Sequence, residues 1–381
     1  MNQELTYWAA LAHTPSIWTS RKNDIVVQCF NQGKTVADFF ESENFLDLDL
    51  KSQELELLKK TKLELANYAF MVEGLLNQGY DIVPITSEVY SSTLKTNLKY
   101  NSPLILYTKG NKQILHEEAI AIVGSRNANE TSLVFTDNVA KKASSEKKIV
   151  VSGFAKGVDK QALDSALKYH GQSIIVLPQG ITTFASGMKK YYKQIIDGDV
   201  LVLSTFHPKS PWSVELAMAR NPIIYGLASE IFVAQSDDKG GTWSGVCDGL
   251  KKERKIFVRK PSNGEKCANL TLINMGALPV DMEGQPIHDI IKYEIVEEPC
   301  PIVAENPKPY ETVEDKIRNL LSKGKYTSKE ILELLHLSNI SSQKLTAMLK
   351  KINGIKTEKK GGTNLYYIQT ESQLGQLSLS I

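Results

Sequence analysis

At 381 residues, with 42% hydrophobic and 23% charged residues, the chain has the length for two or three domains and the composition of an ordinary globular protein. Its 45 basic and 43 acidic residues leave a formal net charge of +2, so global charge selects no partner and any nucleic-acid surface must be a local patch. Four dispersed cysteines without a CxxC pair, six histidines without HExxH or HxH spacing, and no run near the ~20 apolar residues of a membrane span argue against a disulfide framework, a metal site and a membrane anchor.

The opening Met1-Asn-Gln-Glu-Leu-Thr6 lacks the basic and apolar regions of a secretory signal, which makes the cytoplasm the expected location. Residues 1–80 read as a small helical domain. Tyr7-Trp8-Ala9-Ala10-Leu11-Ala12 begins an amphipathic stretch, and Leu55, Leu58, Leu65, Ala69 and Leu75 recur at helical spacing. This segment carries no phosphate loop, so docking or scaffolding is its expected role, with weak DNA contact as the alternative.

Residues 81–295 read as an α/β, Rossmann-like domain. Two extended segments around a short helix lie between Gly79 and Gly110. Strands are then expected at 119–123, 148–152, 173–177, 200–204, 230–234 and 255–259, with helices at 131–145, 158–170, 187–197, 212–220 and 242–252. That alternation specifies βαβ units and a parallel sheet covered on both faces, whose ligands sit at the carboxyl ends of the strands. Residues 296–311, acidic and proline-bearing, read as an extended linker. Helical patterns at 312–323, 327–336 and 341–352 precede a strand, a basic glycine turn and a second strand. Residues 312–370 therefore describe a winged helix-turn-helix, followed by a tail at 371–381.

Gly124-Ser125-Arg126 follows the first parallel strand. Glycine permits a tight turn, serine can donate to a phosphate oxygen, and arginine can pair it bidentately. At the next strand end Gly153 and Gly157 flank Lys156, and Asp159 stands where a helix N-cap belongs rather than as a catalytic base. Two such turns in succession make a phosphate cradle at helix N-termini, for a nucleotide or for a nucleic-acid backbone. Gly240-Gly241-Thr242 is a possible nucleotide loop, but no carboxylate follows it to protonate a leaving base. In the C-terminal segment Lys344 lies at the start of the expected recognition helix, and Lys356, Lys359 and Lys360 flank the wing turn.

The order of these motifs, with the Ile174-Ile-Val-Leu177 strand leading to Gly180, resembles the DNA-processing protein A family (DprA, also called Smf). Ile85–Asn111 is similar to that family's entry into its sheet, and Trp212–Leu227 is similar to its Arg-Asn-Arg-Ile-Ile-Ala-Gly-Leu stretch. The resemblance implies an N-terminal helical (SAM-like) domain, an extended Rossmann-like core and a C-terminal winged helix. It also implies single-stranded DNA binding without catalysis or cofactor, self-association as a homodimer, and loading of a RecA-type recombinase during DNA uptake or recombination. Carried over as phosphate-binding positions are Gly124, Ser125, Arg126, Gly153, Lys156, Gly157, Arg220 and Asn221, while Lys189 and Lys190 rest on charge alone. The chain departs from the pattern at Pro222, where the family has its second arginine, at Thr183-Phe184-Ala185, where it has Tyr-Pro, at Thr205 and in the loop 235–245. Two other readings stay open: a nucleotide sensor or phosphoribohydrolase-like protein of the same broad fold, and a winged-helix transcription regulator.

Overall fold

The computed structural model describes residues 2–287, 313–335, 342–349, 352, 354–360 and 363–368. Its contacts separate two units, Met1–Pro307 and Lys308–Ile381, and each is described by itself.

The first unit opens with five helices: α1 (Asn2–His13), α2 (Thr19–Asn31), α3 (Val36–Glu41), α4 (Ser52–Leu63) and α5 (Leu65–Asn77). Thr35 starts α3 with a reciprocal cap, its hydroxyl accepting from Asp38 N (3.1 Å) while the Asp38 carboxylate accepts from Thr35 N (2.8 Å). The apolar stripes bury Trp8, Leu11, Ile25, Phe39, Phe40, Phe45 and Leu58. These side chains form one core with Ile105, Tyr107, Ile175, Val200 and Val202, so the helices close one part of a sheet face.

That sheet has nine strands: β1 (Asp81–Pro84), β2 (Ile105–Lys109), β3 (Ala119–Val123), β4 (Ile149–Ser152), β5 (Ser173–Val176), β6 (Val200–Ser204), β7 (Glu230–Val233), β8 (Ile256–Arg259) and β9 (Leu278–Val280). Their order is β1-β2-β6-β5-β4-β3-β7-β8-β9. Strands β1 and β2 are antiparallel to each other and β2 to β6, whereas every pairing from β6 to β9 is parallel. The six strands expected from the alternation are all present, with ends shifted by a residue at most. The short β9 carries no alternation long enough to read from sequence.

Eight helices connect the strands: α6 (Ser92–Leu98), α7 (Glu130–Ser145), α8 (Val158–Lys168), α9 (Ala185–Lys190), α10 (Tyr192–Asp197), α11 (Val214–Leu227), α12 (Gly241–Lys251) and α13 (Asn269–Asn274). Alternate strand residues face opposite ways. Ile120, Ile122 and Val150 pack under Phe135 and Val139 of α7 and Ala162 and Ala166 of α8. Ala121, Val123 and Val151 pack on the other face, with Leu94 of α6, Ile223 and Leu227 of α11, Val246 of α12 and Leu272 of α13.

Two expected helices differ from the sequence reading. The segment 187–197 is not one helix but α9 and α10, parted at Tyr191, whose buried hydroxyl donates to Asp164 Oδ1 (2.6 Å). The helix expected to end at residue 220 instead runs through Pro222 to Leu227. An interior proline costs about 3 kcal/mol. Ile223, Ile224, Tyr225 and Leu227 beyond it are buried, and at roughly 1.5–3 kcal/mol for each large apolar side chain their burial outweighs that cost. Among the described residues no helix is long and apolar enough to cross a membrane.

The second unit contains α14 (Val313–Leu321), β10 (Tyr326–Thr327), α15 (Ser328–Leu334), α16 (Ser342–Leu349), β11 (Ile355–Lys360) and β12 (Thr363–Ile368). The strands form an antiparallel sheet in the order β10-β12-β11. Ile317, Leu321, Ile331, Leu345, Leu349, Ile352 and Tyr366 make its core. Thr327 and Glu330 cap α15 reciprocally, as Thr35 and Asp38 cap α3. The linker at 296–311, the turn at Gly361-Gly362, the tail at 371–381 and the side chains of Lys344 and Lys360 lie outside the described residues.

Candidate nucleic-acid interface

From β3 the chain steps outward through β4, β5 and β6, then returns by α11 to place β7 on the opposite side of β3. The turns leaving β3, β4 and β7 therefore converge where the winding direction reverses, the place where open α/β sheets hold ligands. Ser125 N donates to Gln235 O (2.8 Å), which joins the β3 and β7 turns. Gly157 packs its Cα against the Ser125 carbonyl, closely enough that a Cβ would overlap that oxygen, and its φ of +85° also favours glycine. The β3 and β4 turns are thus locked back to back.

Ser125 is buried, and its hydroxyl accepts from Asn127 N (3.1 Å), so the side chain shapes the turn. Arg126 and Lys156 project outward and are exposed, and with Lys160 they edge an open cleft of about 560 Å³ over the N-terminal ends of α7 and α8. Among the described residues these three cations form no ion pair. Asn127, Gln161 and Asp164 complete the polar lining. The cleft has positive charge at two helix N-termini, which is an anion-binding arrangement.

Arg220 takes a different place from an exposed phosphate contact. It is 4% exposed, lies 3.7 Å from Asp159, and fills the space where Gly153 lacks a side chain; a Cβ there would overlap its guanidinium. Asp159 likewise does not cap α8. Gly157 holds the N-cap position, and Asp159 is buried two residues on, within the first turn, where burial raises its carboxyl pKa against the opposing pull of Arg220. The sequence reading failed here because a charged residue on a helix normally faces solvent. Asn221 donates to Gly241 O (3.3 Å), so it tethers the Gly240-Gly241-Thr242 loop, where Gly240 is the N-cap of α12.

Lys189 and Lys190 lie exposed on α9. Lys190 approaches Asp164 (4.0 Å) and donates to Tyr191 Oη (2.8 Å), which brings it to the cleft rim partly neutralised. Thr183-Phe184-Ala185 has a local use. Phe154 in the β4 turn has φ +61°, and its ring meets Phe184 edge-on at 4.9 Å and Tyr191 at 5.7 Å. The departure supplies an aromatic prop for a backbone conformation that phenylalanine disfavours.

Sequence reasoning missed Lys160, although a lysine four residues beyond Lys156 at a helix start was a readable signal. It also missed a buried brace behind the β3 turn. Arg259 is 1% exposed, pairs with Glu265, and donates to Ala234 O (2.9 Å) and Ser132 Oγ (3.0 Å). Asn129 caps α7 through Ser132 N (2.8 Å) and donates to Glu265 Oε1 (2.8 Å). No local pattern reveals such a brace, because its members come from distant segments of the chain.

Arg259 holds the Glu265 carboxyl down at about 2, from an ordinary value of 4.5. A depressed carboxylate contributes stability above its unfolded pKa and loses it as pH falls toward the folded one. Glu265→Gln is therefore expected to destabilise the first unit by about 3 kcal/mol at neutral pH, since it strands a buried guanidinium. It should also flatten the acid limb between pH 4.5 and about 2. Urea unfolding followed across that range checks both.

A family model described as DNA recombination-mediator protein A matches residues 81–292, more than half of the chain. The DNA processing protein DprA of Streptococcus pneumoniae is 31% identical over 160 residues, a match covering 42% of this chain and 56% of that protein. DprA of Bacillus subtilis is 28% identical over 212 residues, covering 52% of this chain and 68% of that protein. The X-ray structure of DprA from Streptococcus pneumoniae aligns with a TM-score of 0.52 at 24% identity, over 70% of this chain and 95% of that one, a likeness of fold.

Proposed function

The chain belongs to the DNA recombination-mediator protein A family, and on that premise we propose that it binds single-stranded DNA at the carboxyl edge of its sheet and passes the strand to a RecA-type recombinase. The observation that carries this reading is the open cleft edged by Arg126, Lys156 and Lys160, which form no close ion pair among the described residues and stand over two helix N-termini. A flexible strand with one charge per nucleotide suits such a track. Gly124, Ser125, Gly153 and Gly157 act by shaping the turns, Arg220 and Asn221 by holding them, and Lys189 and Lys190 extend the positive rim. The site binds and does not catalyse, the protein works in the cytoplasm as a homodimer, and the second unit is a winged helix that contacts duplex DNA or a protein.

Titration of the 381-residue chain with oligo-dT at two salt concentrations tests the reading. Each neutralised phosphate on a single strand contributes about −0.7 to the slope of log K against log salt, so three cations predict a slope of about −2. Salt-insensitive binding, or a preference for nucleoside monophosphates over the oligonucleotide, would overturn it in favour of a nucleotide sensor.

A further inference from the structure

Outside the cationic cleft, the same carboxyl edge carries an apolar shelf. Trp212 is 48% exposed, and Val214 (61%) and Met218 (40%) follow on one side of the first turns of α11. The shelf is rigidly mounted. Gly180 N donates to Ser210 O (2.9 Å), Thr182 N to Pro208 O (3.1 Å), and Ser210 N to His207 O (2.8 Å), which pins the loop that delivers Trp212. Pro211 precedes the indole, and Ser213 follows it as the N-cap of α11, accepting from Leu216 N (3.1 Å). Trp212 thus stands on a pinned loop as a large flat apolar surface, and a backbone already fixed costs a binding strand little ordering entropy.

We infer that this shelf, with Trp212 at its centre, stacks nucleobases of the same single strand whose phosphates lie in the Arg126–Lys156 cleft. The inference rests on the single-strand reading above. Continuity supports it: Arg220 and Asn221, two and three residues past Met218 on α11, reach the β4 turn and the Gly241 loop, so the shelf adjoins the strand-end loops. Chemistry supports it as well: an apolar shelf offers phosphate no partner, whereas bases are neutral and present π-faces. Lys209, three residues before Trp212 and exposed, supplies the cation that single-strand platforms set beside their aromatics.

Trp212 is also its own reporter. Trp8 and Trp243 are buried and Trp18 is half-buried, so quenching by a bound base reads the exposed indole. Saturating oligo-dT is expected to quench wild-type emission, and Trp212→Phe should abolish most of that quench while keeping the affinity. Trp212→Ala should bind oligo-dT about tenfold more weakly, yet bind an abasic oligonucleotide of equal length as the wild type does. Wild-type affinity for oligo-dT in Trp212→Ala, with salt-dependent binding intact, overturns the shelf and leaves the cleft standing. A wild type that binds no oligo-dT at all overturns both. A change in sedimentation of Trp212→Ala with DNA affinity unchanged assigns the shelf to a second copy of the chain and overturns its role in base stacking.

Discussion

Replacing Arg126 and Lys156 together by alanine is expected to weaken oligo-dT binding by roughly 10- to 100-fold, because each of two loops gives up one charge-assisted hydrogen bond to phosphate. The salt slope should become shallower by about 1.4, since two phosphates are no longer neutralised. The fold should survive. Both side chains are exposed, neither has an ion pair among the described residues, and the turns that carry them are held by Gly157, Gln235 and the Arg220–Asp159 pair. Lys190→Ala should have a smaller effect than Lys156→Ala, because Asp164 already screens that ammonium. Fluorescence anisotropy at several salt concentrations, with circular dichroism for the fold, checks all of this. Unchanged binding in the double variant would remove the cleft from consideration as the phosphate site.

The second large effect is on stability. Arg220→Leu should destabilise the first unit by about 3–5 kcal/mol, because it leaves Asp159 buried without its opposing charge. Asp159 then avoids the penalty only by taking up a proton, so the loss should shrink as pH falls below the carboxylate's own raised pKa. Arg220→Leu combined with Asp159→Asn should recover part of the stability, since no charge is then stranded. Denaturant unfolding of the two single variants and the double variant forms a cycle, and additive losses would show that the pair is not coupled.

The doubly covered sheet was legible because its strands are short, largely continuous apolar runs spaced by helical segments, a pattern that follows from burial on both faces. Gly124 through Arg126 and Gly153 through Gly157 were legible for the same reason: a turn that brings backbone near an anion leaves its glycines in the sequence. Illegible were the residues whose role depends on direction. Arg220 and Asn221 are adjacent on one helix, yet one points into the core and the other to the Gly241 loop, and helical periodicity does not tell which charge goes inward. The helix was expected to end at residue 220 because the packing partners that bury Ile223 to Leu227 lie on strands far away in sequence. Asp159 read as a cap because the φ of Gly157, which makes the glycine the cap, is set by the neighbouring β3 turn.

Pro222 has a mechanical consequence. Having no N–H, it leaves the Met218 carbonyl without its i+4 donor, so α11 is weakest immediately after Asn221. Everything that grips the strand-end loops stands before that point: the mount of Trp212, the guanidinium under Gly153 and the amide on Gly241. Everything after it is buried in the sheet core. The helix is thereby divided into a stem set in the sheet core and a head that carries the loop contacts, joined where one backbone hydrogen bond is missing. Two loops that are separate in sequence and lie on different strands are clamped to that one head, so a displacement of either is resisted by the other.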